Sequence, residues 1–323
     1  RTIGNNSLSA FHHCVNYGYI HSVRDCEFGA IRFGGVFGDL ATNESVGSCE
    51  YIHNYGDIDI HGAATNAPIF CGIGYTIKEA TDANNCLNKG NITIQTNSTA
   101  NMYVCGGILG LYATGVSTGM KNEGNITVKP YGENGSAVGS LIVAGLTNNL
   151  SSGISGIAGS PSGNSGNIDV SLSCNALSVA GIAYEIRGAL TNVVNSGNIT
   201  VSSTSGANAN VYGIGGPIYT KMTNVHNTGN ITYSGTATAG SIQVAGICYA
   251  LGNYSTTTDN ENPSSNSGTI SFNGKALDSS KTVKVAGYAV MLNYSKGMSK
   301  LLNKGNVVCV GDAENDISML CGA

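Results

Sequence analysis

The sequence contains no tryptophan and few charged residues, since Asp, Glu, Lys and Arg make up 11% of its 323 residues. Fifteen Lys and Arg against nineteen Asp and Glu give a net charge of −4. Nucleic acid is therefore not an expected partner, because that affinity is built from many cationic contacts to phosphates. No apolar run approaches the roughly 18–20 residues of a membrane helix. Leu, Lys, Glu and Arg are too scarce to build amphipathic helices, whereas the 46 glycines favour β structure with tight turns.

A short motif, Asn-x-Gly-Asn-Ile-x-Val or a near copy, recurs along the chain at spacings of 31 to 42 residues. Its nine copies begin at Asn16, Asn54, Asn88, Asn122, Asn164, Asn195, Asn227, Asn266 and Asn303. A fixed motif at such a period indicates a repeat architecture. Stacked repeats usually form an extended surface rather than a buried catalytic cleft. A β-propeller is not expected, because it needs four strands per repeat and usually an aromatic signature.

Each copy of the motif predicts a strand, and a second strand follows it. In the copy at Asn88, the apolar Ile92 and Ile94 alternate with the polar Thr93, which is typical of a half-buried strand. The Asn-x-Gly-Asn segment before it is turn chemistry. The second strand has a central glycine about 17–23 residues after the first Asn, for example in the strands at 103–110 and 178–184. Glycine inside a strand indicates a bend or a close backbone approach.

Parallel, in-register stacking of the copies would place equivalent residues in columns about 4.8 Å apart. The Ile column would form an apolar wall, and the Asn column would form an amide ladder in which each side chain bonds to the Asn above and below. The predicted ladder consists of Asn54, Asn88, Asn122, Asn164, Asn195, Asn227, Asn266 and Asn303. The sequence therefore predicts an all-β fold, a right-handed parallel β-helix (β-solenoid) of about nine coils.

The repeats predict a single β-solenoid domain over residues 1–323. Residues 1–50 would form an atypical first coil that caps the stack, as terminal repeats of solenoids often do. The last copy breaks off partway through a unit at Ala323. We therefore expect the C-terminal end to be open and the chain to be a fragment of a longer protein.

The alternating N-x-G-N-I-x-V and V-A-G-I-A motifs, as at 195–201 and 179–183, resemble the Gly-rich GLUG-type repeats of Bacteroidetes surface proteins. They are also similar to the pectin-lyase-like right-handed β-helices in general. The resemblance covers the chain from about Cys14 onward. Many copies carry V-A-G, as at 179–181, where the strict GLUG pattern has G-G-I-x-G.

The repeats together with this resemblance lead us to expect an extracellular or bacterial cell-surface protein without a catalytic role or a cofactor, acting as an adhesin-like stalk or binding rod. Its variable loops or an aromatic stripe would contact glycans, host surface proteins or further copies of the chain. Two alternatives remain open. One is a polysaccharide lyase or glycoside hydrolase built on the same scaffold, and the other is a phage tail-fibre segment, which would trimerise.

The ten cysteines include no C-x-x-C spacing, which argues against a zinc knuckle or a redox motif. Cys71 and Cys105 fall in the same column of adjacent coils, just before the central glycine. Two interpretations are open. The pair is either two small buried apolar residues or a cross-coil disulfide, since the stack spacing lies within the Cα separation that a disulfide accepts.

Titratable side chains cluster near the N-terminal end of the predicted stack. Asp57, Asp59 and His61 lie on the outward face of one predicted strand, and His21 would stack over Asp59. The cluster is either a solvated strand face or a weak metal or sugar-contact site, and the sequence defines no set of metal ligands. Sugar cleavage would need two carboxylates about 5–10 Å apart.

Tyrosine is common, with 16 residues. Several tyrosines follow the glycine-containing strand, and a stripe of them would either stack on sugar rings or close the edge of the core. The members of this stripe are Tyr75, Tyr112, Tyr184, Tyr219 and Tyr249. Among them we select Tyr184 and Tyr249 as candidate ligand-binding residues.

Overall fold

The computed structural model describes residues 11–22, 26–28, 31–38, 48–64, 66–78, 82–113, 115–132, 138–157, 159–251, 263–292, 302–310 and 317–320. Within these ranges the chain forms strands, turns and bends, and no helix. A helix able to cross a membrane is accordingly not found there. The cap expected over residues 1–50 falls partly outside these ranges and stays a prediction, as does the single domain.

Seven successive coils each pass through four parallel sheets, which we name after a residue type that recurs in each. The Asn sheet contains Val15–Asn16, His53–Asn54, Leu87–Asn88, Lys121–Asn122, Ser162–Asn164, Leu190–Asn195, Met222–Asn227, Ser265–Asn266 and Leu302–Asn303, with Ser117–Thr118 and Ile154–Ser155 at its side. The Ile sheet contains Ile20–His21, Ile58–Ala64, Ile92–Thr96, Ile126–Pro130, Ile168–Val170, Ile199–Val201, Ile231–Tyr233, Ile270–Phe272 and Val307–Cys309, with Cys26–Phe28 paired to its second strand.

The other two sheets come from the second half of each coil. The Val sheet contains Arg32–Gly34, Ile69–Cys71, Met102–Cys105, Val138–Ala144, Cys174–Ala180, Ala209–Tyr212, Ile242–Ala245, Val283–Ala286 and Ile317–Leu320, with Thr204–Ser205, Thr236–Ala237 and Lys275–Ala276 at its side. The Tyr sheet contains Gly74–Lys78, Ile108–Tyr112, Thr147–Leu150, Ala183–Ile186, Gly215–Ile218, Cys248–Leu251 and Ala289–Leu292. A small fifth sheet joins Phe11–His12, Cys49–Glu50 and Ala83–Asn84.

Equivalent isoleucines lie directly over one another. Ile92 pairs with Ile58 on one side and with Ile126 on the other, and Ile126 pairs in turn with Ile168, always between parallel strands. The predicted row of stacked isoleucines and the parallel β-solenoid are therefore confirmed. The nine strands along the main path of the Asn sheet agree with the prediction of about nine coils.

Two apolar clusters fill the interior. One packs the Ile sheet against the Val sheet through buried side chains such as Ile94 and Val104. The other packs the Tyr sheet against the residues that precede each ladder asparagine, such as Met120, two positions before Asn122. The period-two pattern of the motif thus predicted correctly which side chains face the inside.

The first cluster contains a buried hydroxyl that lacks a partner, which gives a test of its packing. Tyr233 stacks on Phe272 with ring centroids 5.5 Å apart, and its hydroxyl has no hydrogen-bond partner among the described residues. Such a group is costly, so we expect Tyr233→Phe to raise the free energy of unfolding by about 1 kcal/mol in urea denaturation. In the matched control Tyr212→Phe, the lost hydroxyl donates to Gln243 Oε1 at 3.1 Å, and stability should fall. An equal loss of unfolding free energy in Tyr233→Phe and Tyr212→Phe would contradict this account.

Candidate functional site

The ladder asparagines are hydrogen-bonded to one another along the stack. Asn88 Nδ2 donates to Gly90 O at 2.8 Å and to Asn122 Oδ1 at 2.7 Å. The same two bonds recur at Asn54, Asn122, Asn164, Asn195, Asn227 and Asn266, and the last of these donates to Asn303 Oδ1. Because both amide hydrogens are used inside the protein, the ladder has a structural role and offers no donor to a ligand.

A second asparagine ladder lies outside the first and was missed at the sequence level. Asn91 Oδ1 accepts from the backbone N–H of Asn125 at 3.0 Å, and Asn125 Oδ1 accepts from Asn167 N at 2.9 Å. These residues are exposed, three positions after each inner asparagine. The fourth residue of the motif was the available signal, but it was interpreted only as turn chemistry.

Asp59 and His61 meet, as the predicted cluster requires. His61 Nε2 lies 3.0 Å from Asp59 Oδ1, and Tyr19 donates its hydroxyl hydrogen to Asp59 Oδ2 at 3.0 Å. The hydrogen bond to Asp59 raises the pKa of Tyr19, with smaller contributions from desolvation and from the charges of Asp59 and Asp57. Tyr19 therefore stays a donor at neutral pH. Gln95 Nε2 also lies 2.8 Å from His61 Nε2, so adjacent coils add two members that the sequence did not suggest.

The other two predicted members of this cluster have different partners. His21 pairs in register with Asp59, as expected, but its ring stacks on Tyr19 with centroids 4.6 Å apart. Asp57 Oδ1 accepts from Asn91 N at 2.7 Å, so Asp57 begins the outer ladder. Among the described residues, no group of three or more His, Cys, Asp and Glu side chains is arranged to hold a metal ion.

The predicted tyrosine stripe divides into two columns. Tyr184 and Tyr249 lie in one column, because the residues directly before them, Ala183 and Cys248, both pair in register with Gly215. Burial raises the pKa of Tyr184, and the charge of Glu185 adds to this effect. Tyr249 lies against the ring of Tyr212, with centroids 6.2 Å apart. These two predicted residues therefore lie along the outer junction of the Val and Tyr sheets.

A large cleft lies further toward the N-terminal end of that junction and has a volume of about 600 Å³. Its walls combine aromatic, aliphatic and amide side chains, including Tyr75, Tyr103, Tyr112, Ile69, Leu109 and Asn148. Tyr75 and Tyr112 belong to the predicted stripe, whereas Tyr184 and Tyr249 do not line this cleft. Tyr103 comes from the facing Val sheet, and sequence reasoning missed it.

Small residues make room for the aromatic walls. A Cβ placed on Gly110 would lie 2.7 Å from the ring of Tyr112, so only glycine leaves space for that ring. Beneath the walls, Cys71, Cys105 and Ala144 form a buried apolar cluster against which Tyr103 packs. The cleft is therefore a consequence of small side chains at the junction of two sheets.

Asn148 gives the cleft an unusual polar group. Its side chain is 5% exposed, and its Oδ1 has no hydrogen-bond partner among the described residues. A buried acceptor left without a donor costs about 1–3 kcal/mol, and most such groups in proteins have a partner. Because Asn148 lines the cleft, a rotation of its amide group would present this oxygen to a bound ligand with a hydroxyl or amide donor.

A second cleft of about 400 Å³ continues from the first and shares Tyr112 and Asn149 with it. Glu185 and Arg187 line its far end. Arg187 Nε and Nη2 both donate to Glu185 Oε1, at 2.7 and 2.6 Å. This hydrogen bond and the opposite charge raise the pKa of Arg187. The pair neutralises itself, so the two clefts together present a surface without net charge.

Cys71 and Cys105 are adjacent but unbonded. The two residues pair in register, both are buried, and both are free thiols, so the structure does not form the predicted disulfide. In-register side chains of parallel strands lie about 4.8 Å apart, whereas the Cβ atoms of a disulfide lie about 3.8 Å apart. Burial, followed by the hydrogen bond to Cys71, raises the pKa of Cys105. Both residues are apolar packing groups, and the Cys105 thiol stays protonated at neutral pH.

Comparisons of this chain with protein-family models, with curated proteins and with solved structures find no match. The parallel β-solenoid therefore depends on the observed strand pairing alone.

Proposed function

We propose that this chain is a non-catalytic, glycan-binding repeat rod, secreted or displayed on a bacterial surface. The observation that carries the proposal is the unpartnered Asn148 Oδ1 in a cleft lined by Tyr75, Tyr103 and Tyr112. A sugar ring offers an apolar C–H face to tyrosine and hydroxyl donors to an amide oxygen, and binding clefts commonly combine aromatic walls with a few placed polar groups. The GLUG-type resemblance supports the surface location.

The chemistry of the lining favours a neutral oligosaccharide. Asp, Glu, Lys and Arg are absent from the described residues that line the larger cleft. In the adjoining cleft, Arg187 is held by Glu185, so an acidic sugar would meet a carboxylate as well as a guanidinium. An anionic ligand would therefore gain little affinity from its charge. A sugar chain is also a more suitable occupant of a narrow tyrosine-lined cleft than a host surface protein.

A polysaccharide lyase or hydrolase is the second candidate, favoured by the contacts among Tyr19, Asp59 and His61. Three features speak against it. Both carboxylate oxygens of Asp59 are already engaged, and the raised pKa makes Tyr19 a poor base. In addition, no His, Asp or Glu of the described part of the chain lines the larger cleft, so the acid cluster and the cleft are separate.

Binding to an array of neutral oligosaccharides tests the proposal. We expect Asn148→Leu to lower the affinity about tenfold, because the acceptor is lost while the side-chain volume is kept. The melting temperature should be unchanged or higher, since an unpartnered buried oxygen is removed. Tyr112→Ala should also lower the affinity about tenfold, through the lost ring contact.

The matched control is Tyr219→Ala. Tyr112 and Tyr219 occupy the same column and are 42% and 43% exposed, but only Tyr112 lines the cleft. Tyr219→Ala should bind as the wild type does. Glycan binding that is insensitive to both Asn148→Leu and Tyr112→Ala would contradict the proposal, and release of shortened sugars that is lost in Asp59→Ala would favour the enzyme instead.

A further inference from the structure

Five aromatic residues of the first two coils form a continuous, largely exposed surface on the Asn sheet. We call it the aromatic patch, and its members are His13, Tyr17, Tyr51, His53 and Tyr55. Tyr17 and Tyr55 are stacked with ring centroids 5.0 Å apart and planes at 9°. His13 and Tyr51 are stacked at 4.8 Å and 16°. The outermost ring, Tyr17, is 76% exposed.

His53 joins the two stacks and holds them in place. Its ring lies edge-on to Tyr51 at 6.4 Å and to Tyr55 at 6.0 Å. His53 Nε2 lies 3.0 Å from Asn85 O, and because a carbonyl oxygen only accepts, Nε2 carries the proton. His53 Nδ1 is then free to accept from the Tyr55 hydroxyl at 3.4 Å. The rings are thus oriented before any ligand arrives.

Two members of the patch have a positive φ, 53° at His13 and 54° at Tyr51. Histidine is among the residue types enriched in this conformation, so the strain falls on Tyr51. In four later coils the equivalent position also has a positive φ, and there it is filled by residues that tolerate it: Asn85, Gly119, Asn192 and Asn224. The coils of Asn164 and Asn266 have a proline at this position. A bulky residue at positive φ is unusual. Strain of this kind is kept where it serves a function more often than elsewhere.

The patch is confined to these two coils. The column that holds Tyr17 and Tyr55 continues as Lys89 and Glu123, which form a surface ion pair at 3.1 Å, and then as three serines, a threonine and a lysine. Packing of the solenoid therefore does not require rings at this position. Their presence in adjacent coils, together with the strained Tyr51, points to a ligand.

From this arrangement we infer that the aromatic patch is a second carbohydrate site, which takes the apolar face of a neutral sugar on the Tyr17–Tyr55 stack. The patch contains no Lys, Arg, Asp or Glu, so an ionic ligand has no counter-charge. Tyr17 is largely exposed to solvent, whereas protein hot spots usually fill enclosed, desolvated pockets. Tyrosine hydroxyls and imidazole nitrogens at the rim supply hydrogen bonds to sugar hydroxyls. The ligand class depends on the proposed function, but the site is separate from the cleft.

Two separate sites would make one rod bivalent toward a polysaccharide. Linked sites raise the overall affinity for a ligand that can engage both, without any new contact. A bivalent rod would also cross-link soluble polysaccharide chains, whereas a rod with the cleft alone would only coat them.

The experiment weakens the cleft first and then removes the patch, on the neutral oligosaccharides that the wild-type chain binds. Asn148→Leu should leave binding that is about tenfold weaker, and adding Tyr51→Asn should weaken this residual binding at least fivefold further. Asparagine suits a positive φ, so Tyr51→Asn should keep or raise the melting temperature, and the loss cannot then be attributed to unfolding. Tyr17→Ala, in the same Asn148→Leu background, should weaken the residual binding at least fivefold, and Tyr219→Ala should not change it.

Three outcomes would overturn the inference. The first is residual binding that Tyr51→Asn and Tyr17→Ala together leave unchanged, the second is loss of all binding in Asn148→Leu alone, and the third is binding of a proline-rich peptide to the patch in place of sugar. Each of these leaves the proposed function of the cleft intact. By contrast, wild-type binding that Asn148→Leu leaves unchanged and Tyr51→Asn abolishes would support the patch and contradict the cleft.

Discussion

An Asn122→Asp protein is expected to lose about 3–5 kcal/mol of unfolding free energy at neutral pH. The change keeps the size of the side chain but removes both donors, so Gly124 O and Asn164 Oδ1 each lose a hydrogen bond. Asn122 is fully buried, so neither acceptor can turn to water. Each repeat of a solenoid is stabilised mainly by its neighbours, and the loss weakens the contacts of this coil on both sides.

The pH dependence of this loss is a second readout. Burial raises the pKa of a carboxyl above its unfolded value of about 4. At a pH between these two pKa values, the introduced carboxyl is ionised in the unfolded chain and protonated in the folded chain. The loss should therefore be smaller at pH 4 and grow as the pH rises, as measured by urea denaturation at each pH.

Asn125→Asp is the matched control, because Asn125 belongs to the exposed outer ladder of the same coil. Its Oδ1 accepts from Asn167 N at 2.9 Å, a bond that aspartate can also make. The bond that aspartate loses, from Nδ2 to Asn91 Oδ1 at 3.1 Å, is exposed, so water can replace the donor. We expect the free energy of unfolding of Asn125→Asp to stay within about 0.5 kcal/mol of the wild-type value. Equal losses for Asn122→Asp and Asn125→Asp would show that burial of the amides is not what stabilises the stack.

The inner ladder and the stacked isoleucines could be predicted from the sequence because both depend on local periodicity. Once Asn88 and Asn122 are taken to lie in register, the two-residue alternation decides that Ile92 faces inward and Thr93 outward. The same register brings His21 over Asp59. Regular stacking converts a one-dimensional pattern directly into three-dimensional neighbours.

The cleft could not be predicted in this way, because it forms between two sheets whose angle the repeat does not encode. Tyr103 and Tyr112 are in the same coil, but they lie on different sheets and meet only across the junction. Asn148 is one of several asparagines in its segment, and only the folded structure shows that its oxygen is buried without a partner among the described residues. Side-chain orientation at a sheet junction is a tertiary property.

Two neighbours of the acid cluster could not be predicted from the sequence for a related reason. Gln95 is 34 residues from His61 in the chain, and Tyr19 is 40 residues from Asp59. The register placed Gln95 beside His61, but whether long side chains bend toward each other depends on rotamers that a sequence pattern leaves free.

A Gly181→Ala protein should be destabilised by about 3 kcal/mol or more, because the added methyl group has no space. A Cβ at this position would overlap Gly213 O and lie 2.5 Å from Asn195 Cγ. Gly181 does not have a positive φ, so glycine is needed here for its size rather than for its backbone freedom. The central glycine predicted as a close approach is therefore the contact surface for the inner ladder.

The same contact recurs in the coils that carry the glycine strand, and the distances repeat closely. A Cβ would lie 2.7 Å from the ladder Nδ2 at Gly72, at Gly181 and at Gly246. Gly181→Ala must therefore either displace Asn195, breaking its bond to Asn227 Oδ1 at 2.8 Å, or push neighbouring coils apart. Hydrogen exchange should show faster exchange at the backbone amides around both Gly181 and Asn195.

The control is Gly38→Ala, in which the new Cβ would lie 3.6 Å from Arg32 O, at an ordinary contact distance. We expect its urea midpoint to match that of the wild type. If Gly181→Ala also matches it, the glycine column and the asparagine ladder do not pack against each other as tightly as these distances require. If only Gly181→Ala has a lower urea midpoint, the glycine and asparagine columns pack as one unit. The V-A-G and Asn-x-Gly-Asn motifs are then both required by the same contact.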